Sequence, residues 1–135
     1  MKKIITSVLM VALISLGVSA VNMEAIRYIE SRGNPQAVGE SGEIGLYQIM
    51  PITLKSYNQR HEVNYTKSDL FTPEINEKIA SWYLEQRIPE MLRYYGLKTS
   101  IKNILWAYNA GISRVREGVM PEVTKQYIEQ YWEVE

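Results

Sequence analysis

At 135 residues the chain has room for one domain around one core. It has no cysteine, which excludes disulfides, thiol catalysis, thiolate metal sites and an acylated N-terminal cysteine as lipid anchor. Its 15 basic and 15 acidic residues balance, so there is no electrostatic case for nucleic acid or an anionic membrane as partner.

Lys2 and Lys3 precede an uncharged, mostly apolar run from Ile4 to Val18, which closes on Val18-Ser19-Ala20. A positive start, an apolar stretch and small residues at its end predict a secretory signal peptide over residues 1–20, cut after Ala20. The run of about 15 residues falls short of the roughly 20 that a spanning helix needs, so no stable membrane insertion is expected once the leader is gone. Its loss takes two lysines and leaves residues 21–135 with a net charge of −2, and an exported location, periplasmic or at the cell wall, follows.

Beyond the leader, Asn22 is a good N-cap for a helix from about Met23, with Ala25, Ile26 and Ile29 on one face and Gly33-Asn34-Pro35 as its stop. Gly39, Gly42 and Gly45 put three glycines into seven positions, which predicts a loop or a short hairpin. Pro51 suits the first turn of the next helix, where its missing N–H would be unpaired anyway. The polar stretch from Ser56 to Ser68 reads as a loop with a frayed helix end. Thr72, Pro73 and Glu74 announce a long helix carrying Ile75, Ile79, Trp82 and Tyr83, kinked or restarted at Pro89 and ended by Gly96.

Ser100 then caps the clearest amphipathic helix, with Ile101, Ile104, Leu105 and Tyr108 on one stripe and Gly111 as its close. A last helix is expected from about Pro121 through Tyr127, Ile128 and Tyr131. With no strand-length alternation outside residues 37–50, the predicted fold is mainly α: a single domain of several helices with at most a small β-hairpin.

Ten tyrosines, three tryptophans and one phenylalanine are a heavy aromatic load. Aromatics fill small cores, but tyrosine and tryptophan also suit a wet groove that grips sugar faces, since each has an apolar body and a polar tip. Glu30 stands at the end of the first predicted helix, beside apolar residues and near the negative end of the helix dipole. Both effects disfavour its anion. A protonated glutamate in a groove is what general-acid cleavage of a glycosidic bond requires.

Glu30-Ser31, Asn34-Pro35, Ala37-Val38, Gly45-Leu46-Tyr47-Gln48-Ile49-Met50-Pro51 and Ala107-Tyr108-Asn109-Ala110-Gly111 stand in an order and spacing that resembles the soluble lytic transglycosylase family, from about Met23 to Tyr131. The resemblance implies a lysozyme-like fold with a groove for peptidoglycan glycan strands. It implies that Glu30 protonates the leaving glycosidic oxygen and then acts as base on the muramyl 6-hydroxyl, leaving a 1,6-anhydro end. Gln48 matches a glutamine that hydrogen-bonds the sugar near the cleaved bond. Tyr108 and Asn109 match residues that line the groove and help hold the acid, and Tyr127 a tyrosine that closes the site. Tyr47 and Ser31 complete the expected substrate-binding set, Ser31 more by orienting the helix end than by touching sugar. No metal or cofactor is implied, and a monomer is expected. Small relatives of this size resemble those that open the wall for secretion machines, pili or phage.

The chain also departs from the family pattern. Gly39 replaces a serine that contacts substrate, Tyr47 a common methionine, and Val123 a frequent glutamate; Ser41 is placed to substitute for the serine if the loop bends that way. Glu40 and Glu43 are expected to be solvated, although either one facing Glu30 across a water would allow hydrolysis with inversion. His61, the only histidine, has no metal-ligand partner at useful spacing and is expected on the surface. Two alternatives stay open: a goose-lysozyme-like hydrolase sharing Glu30, and a wall-binding or assembly protein without turnover.

Overall fold

The computed structural model describes residues 20–134. The expected leader therefore lies outside the described residues, apart from its last position. The elements are α1 (Met23–Ser31), α2 (Pro51–His61), a 3-10 turn (Lys67–Phe71), α3 (Pro73–Trp82), a π turn (Tyr83–Arg87), α4 (Ile88–Tyr94), α5 (Ile101–Ala110), α6 (Ile112–Glu117) and α7 (Glu122–Val134). The fold is mainly α, as expected, and among the described residues only isolated antiparallel bridges occur, Val38 with Ile44 and Ile44 with Ile49. No helix among the described residues is long and apolar enough to cross a membrane.

The caps follow the chemistry of the sequence. The Asn22 side chain accepts from the N–H of Ala25, and Ser100 accepts from that of Asn103. Pro51 opens α2 and Pro73 opens α3, each in the first turn. Three stretches differ from expectation. Residues 56–61 are helical to His61, because Tyr57 is buried and stacks on the His61 ring at 3.9 Å, a tertiary gain that outweighs a polar sequence. At Pro89 the expected restart is present but runs through an unexpected π turn: without a proline N–H the preceding turn widens, Ile88 N–H reaches back to the carbonyl of Tyr83, and α4 begins at Ile88 with Pro89 in its first turn. The third is α6, a six-residue helix with one buried residue, Val115, too short to show a period.

The core is one cluster in which Ala25 and Ile26 of α1, Ile79 and Ala80 of α3, Leu84 of the π turn, Ile88 and Leu92 of α4, and Leu105 of α5 are fully buried. α5 packs against α4, α6 and α7, and α7 returns against α1. The Tyr131 hydroxyl accepts the backbone N–H of Asn22 at 2.8 Å, fastening the last helix to the start of the first. That closure brings Tyr127 over the end of α1.

Asn76 is one of three buried polar residues among the described residues, with Thr53 and Thr124. It is fully buried, and its amide nitrogen donates to the carbonyls of Ile44 at 2.8 Å and Leu70 at 2.9 Å while its oxygen accepts from Tyr47 N–H at 2.9 Å. A buried amide with its partners in place is a rigid clamp. Here it clamps the glycine-rich loop to α3. Gly45 is required beneath it, for its φ is +82° and a Cβ there would overlap both the Asn76 amide and the Leu70 carbonyl.

Candidate active site

A cleft of about 400 Å³ opens between the loop after α1 and the end of α5. Glu30, one residue from the end of α1, forms part of its wall, with Glu43 and Gln48 of the loop and Tyr108 and Asn109 of α5. The Tyr127 hydroxyl, on α7, donates to Glu30 Oε2 at 2.9 Å. Burial raises the Glu30 pKa from the usual 4.5 to about 7; the Tyr127 hydrogen bond works against this, and the charge of Glu43 adds to it. An acid of this kind is half protonated near neutral pH, which suits a group that must both give and take a proton. Tyr108 and Tyr127 are raised well above the ordinary phenol range, by burial first and by the Glu30 charge second, so both remain O–H donors.

Tyr108 spends that donor on the backbone carbonyl of Tyr47, which ties α5 to the loop. Asn109 is exposed at the cleft, and its Oδ1 accepts from the hydroxyl of the buried Thr124 at 2.7 Å, leaving its amide N–H groups free to face a ligand. Gln48 sits at φ 51°, a left-handed conformation that costs a non-glycine residue about 1–3 kcal/mol when fully strained. Its amide nitrogen donates to the carbonyls of Gly45 at 2.9 Å and Ala37 at 3.1 Å. Both amide protons are thus committed to the loop, and the amide oxygen is what Gln48 has left for a sugar hydroxyl.

Two of the expected substrate-binding residues lie elsewhere. Tyr47 is 0% exposed and its hydroxyl donates to Glu77 at 3.1 Å, on the far side of the loop from the cleft. A tight turn explains this: Gly45 and Gln48 both have positive φ and Gln48 N–H closes on the Gly45 carbonyl at 3.0 Å, which brings Gln48 to the cleft and leaves Tyr47 in the core. Ser31 donates to the Arg27 carbonyl and accepts from Gly33 N–H, which finishes α1 and aims Glu30 without contact to the cleft. Glu43, expected to be solvated, lines the cleft, whereas Glu40 is exposed and outside it. Ser41 also lines the cleft, and His61 is exposed.

Sequence reasoning missed Tyr83, Thr53 and Ile52 on the cleft wall, Thr124 behind Asn109, and Asn76 beneath the loop. Asn76 did leave a signal, since it stands three and four residues before Ile79 and Ala80, on the buried stripe of α3. A polar residue on such a stripe asks for a buried partner. Tyr83 had none, because its place in the cleft depends on the π turn.

Compared with protein families, residues 15–130 match the transglycosylase SLT domain. The chain belongs to that family. This SLT domain is also similar to two solved structures. One is the 70 kDa soluble lytic transglycosylase of Escherichia coli, with 28% identity and a TM-score of 0.61 over 84% of this chain and 18% of that one. The other is a complex of the 70 kDa soluble lytic transglycosylase with bulgecin A, with 25% identity and a TM-score of 0.60 over 85% of this chain and 16% of that one. The SLT domain thus spans under a fifth of the length of either protein. No curated protein sequence matches it. Its mainly α fold is the lysozyme-like fold of that family.

Proposed function

We propose that this SLT domain is a peptidoglycan lytic transglycosylase that cleaves the β-1,4 bond between N-acetylmuramic acid and N-acetylglucosamine. The observation that carries this function is the buried carboxyl of Glu30, held by Tyr127 in the wall of a cleft of about 400 Å³ with a pKa of about 7. In the first half of the reaction Glu30 gives its proton to the leaving glycosidic oxygen, and that oxygen keeps the electron pair of the broken bond. In the second, the ionised Glu30 takes the proton of the muramyl 6-hydroxyl, whose oxygen bonds to the anomeric carbon and closes the 1,6-anhydro ring. One carboxyl serves twice, and the net proton count is unchanged.

The sugar would be positioned by the free amide of Asn109, the amide oxygen of Gln48 and the apolar wall of Met50 and Ile52, of which Ile52 is 68% exposed. Tyr108 and Tyr127 act on the geometry of the loop and of Glu30. Export by the leader would deliver the enzyme to its wall substrate, as a monomer, where a secretion or pilus machine is the class of partner to look for.

A hydrolase on the same cleft would differ in its products. Digestion of purified peptidoglycan followed by a reducing-end assay separates the two: anhydro ends give no new reducing ends, whereas hydrolysis gives one for each bond cut.

A further inference from the structure

Glu43 is held in the cleft by an unusual seat. Its Oε1 accepts the N–H of Ser41 at 2.9 Å, and the loop folds on itself through Gly39 N–H to the Glu43 carbonyl at 2.8 Å and Gly42 N–H to the Gly39 carbonyl at 3.2 Å. The carboxyl lies directly over Gly39, where a Cβ would overlap it. Gly39 is not among the residues at positive φ, so its backbone makes no demand for glycine. What glycine supplies at position 39 is room, and the Glu43 carboxyl fills it. The ion pairs among the described residues all go elsewhere. A loop glutamate with no cation beside it would ordinarily extend into water; this one is folded back into the wall that it shares with Glu30.

We propose that Glu43 is a second carboxylate of the site, seated over Gly39 so that its charge stabilises the positive charge that develops at the anomeric carbon. The proposal rests on glycosidic cleavage by Glu30. As the bond to the leaving oxygen stretches, its electron pair departs with that oxygen, which Glu30 protonates. The anomeric carbon and ring oxygen then carry positive charge until the 6-hydroxyl attacks. Glu43 makes and breaks no bond; a carboxylate fixed in the cleft wall lowers the energy of that cationic stage. The groups facing Glu30 are consistent with this division. Tyr127 from α7 and Tyr108 from α5 are neutral donors, and Glu43 from the loop supplies the negative charge.

The test uses the full chain, digesting peptidoglycan, with Glu43→Gln, Glu43→Ala, Gly39→Ala and the double variant Gly39→Ala/Glu43→Ala. Glu43→Gln is expected to lower kcat about 100-fold with KM changed by less than about threefold, the pattern of a contact made in the transition state. Its basic limb in the pH profile moves to lower pH, because Glu30 loses a negative neighbour. Binding of a cationic iminosugar analogue weakens by about tenfold or more, while binding of a neutral N-acetylglucosamine oligomer holds, a split that a merely structural role would not produce. Gly39→Ala evicts the carboxyl and shows a similar loss in the otherwise natural chain, but adds nothing in the Glu43→Ala background.

A Glu43→Gln variant with kcat within about twofold and an unmoved basic limb overturns the proposal, as does equal loss of cationic and neutral ligand binding. These outcomes are distinct from failure of the proposed function, in which the natural chain itself releases no fragments or releases them without need of Glu30.

Discussion

The Tyr127 hydroxyl donates to Oε2 of Glu30 at 2.9 Å across 97 positions of sequence. This bond joins the last helix to the end of the first, and it opposes burial in setting the pKa of the acid. Tyr127→Phe should therefore push the Glu30 pKa above about 7. A hydrogen bond to a charged group is worth about 1.5–3 kcal/mol, so the basic limb of activity should rise by about one pH unit or more. A pH–rate profile checks this, and an unmoved limb would mean that Tyr127 does not reach the acid in solution.

Glu30 also makes the stability of the fold depend on pH. Its folded pKa of about 7 lies above the usual 4.5, so the folded state holds this proton more tightly than the unfolded state does. Stability from this group is complete below about pH 4.5 and falls as pH rises towards 7, by about 3 kcal/mol in all. Glu30→Gln removes the titration. Urea unfolding near pH 4 and near pH 8 should show the variant gaining on the natural chain by up to about 3 kcal/mol at the higher pH. No relative gain would contradict the enclosure of the carboxyl.

Asn76→Ala strips the clamp from the loop and leaves the Tyr47 N–H and the Leu70 carbonyl without their partner, while the Ile44 carbonyl keeps the N–H of Ile49 at 2.9 Å. Each buried group left unpaired costs about 1–3 kcal/mol, so a loss of at least about 2 kcal/mol is expected in thermal or urea unfolding. Activity should fall further than stability alone explains, since Gln48 and Glu43 ride on the same loop.

Tyr47→Phe separates the core from the cleft. The lost bond reaches an exposed carboxylate, so stability should drop by about 0.5–1.5 kcal/mol or less. KM for the glycan should not change, because the ring faces away from the cleft. A KM raised severalfold would return Tyr47 to the substrate-binding set.

The helical frame was legible because its signals are local. Asn22 and Ser100 cap, Pro51 and Pro73 open, and the stripe of Ile104 and Leu105 faces the core, each for a reason contained within a few residues. Glu30, Tyr108, Asn109 and Gln48 converge on one cleft, in line with the motif resemblance. What local sequence did not disclose depends on distant partners. The π turn at Tyr83 answers to Pro89 and places a tyrosine on the cleft; helix through residues 56–61 depends on the Tyr57 and His61 rings packing beside Trp82. The inward face of Tyr47 and the seat of Glu43 over Gly39 are set by the fold of a loop that has no period to read.

The most direct test is mass spectrometry of the soluble fragments released from purified peptidoglycan by residues 21–135 of the protein, with Glu30→Gln alongside. Fragments ending in 1,6-anhydro-muramic acid, absent with the variant, are the predicted result. Fragments with reducing ends, or anhydro fragments undiminished in Glu30→Gln, would contradict it.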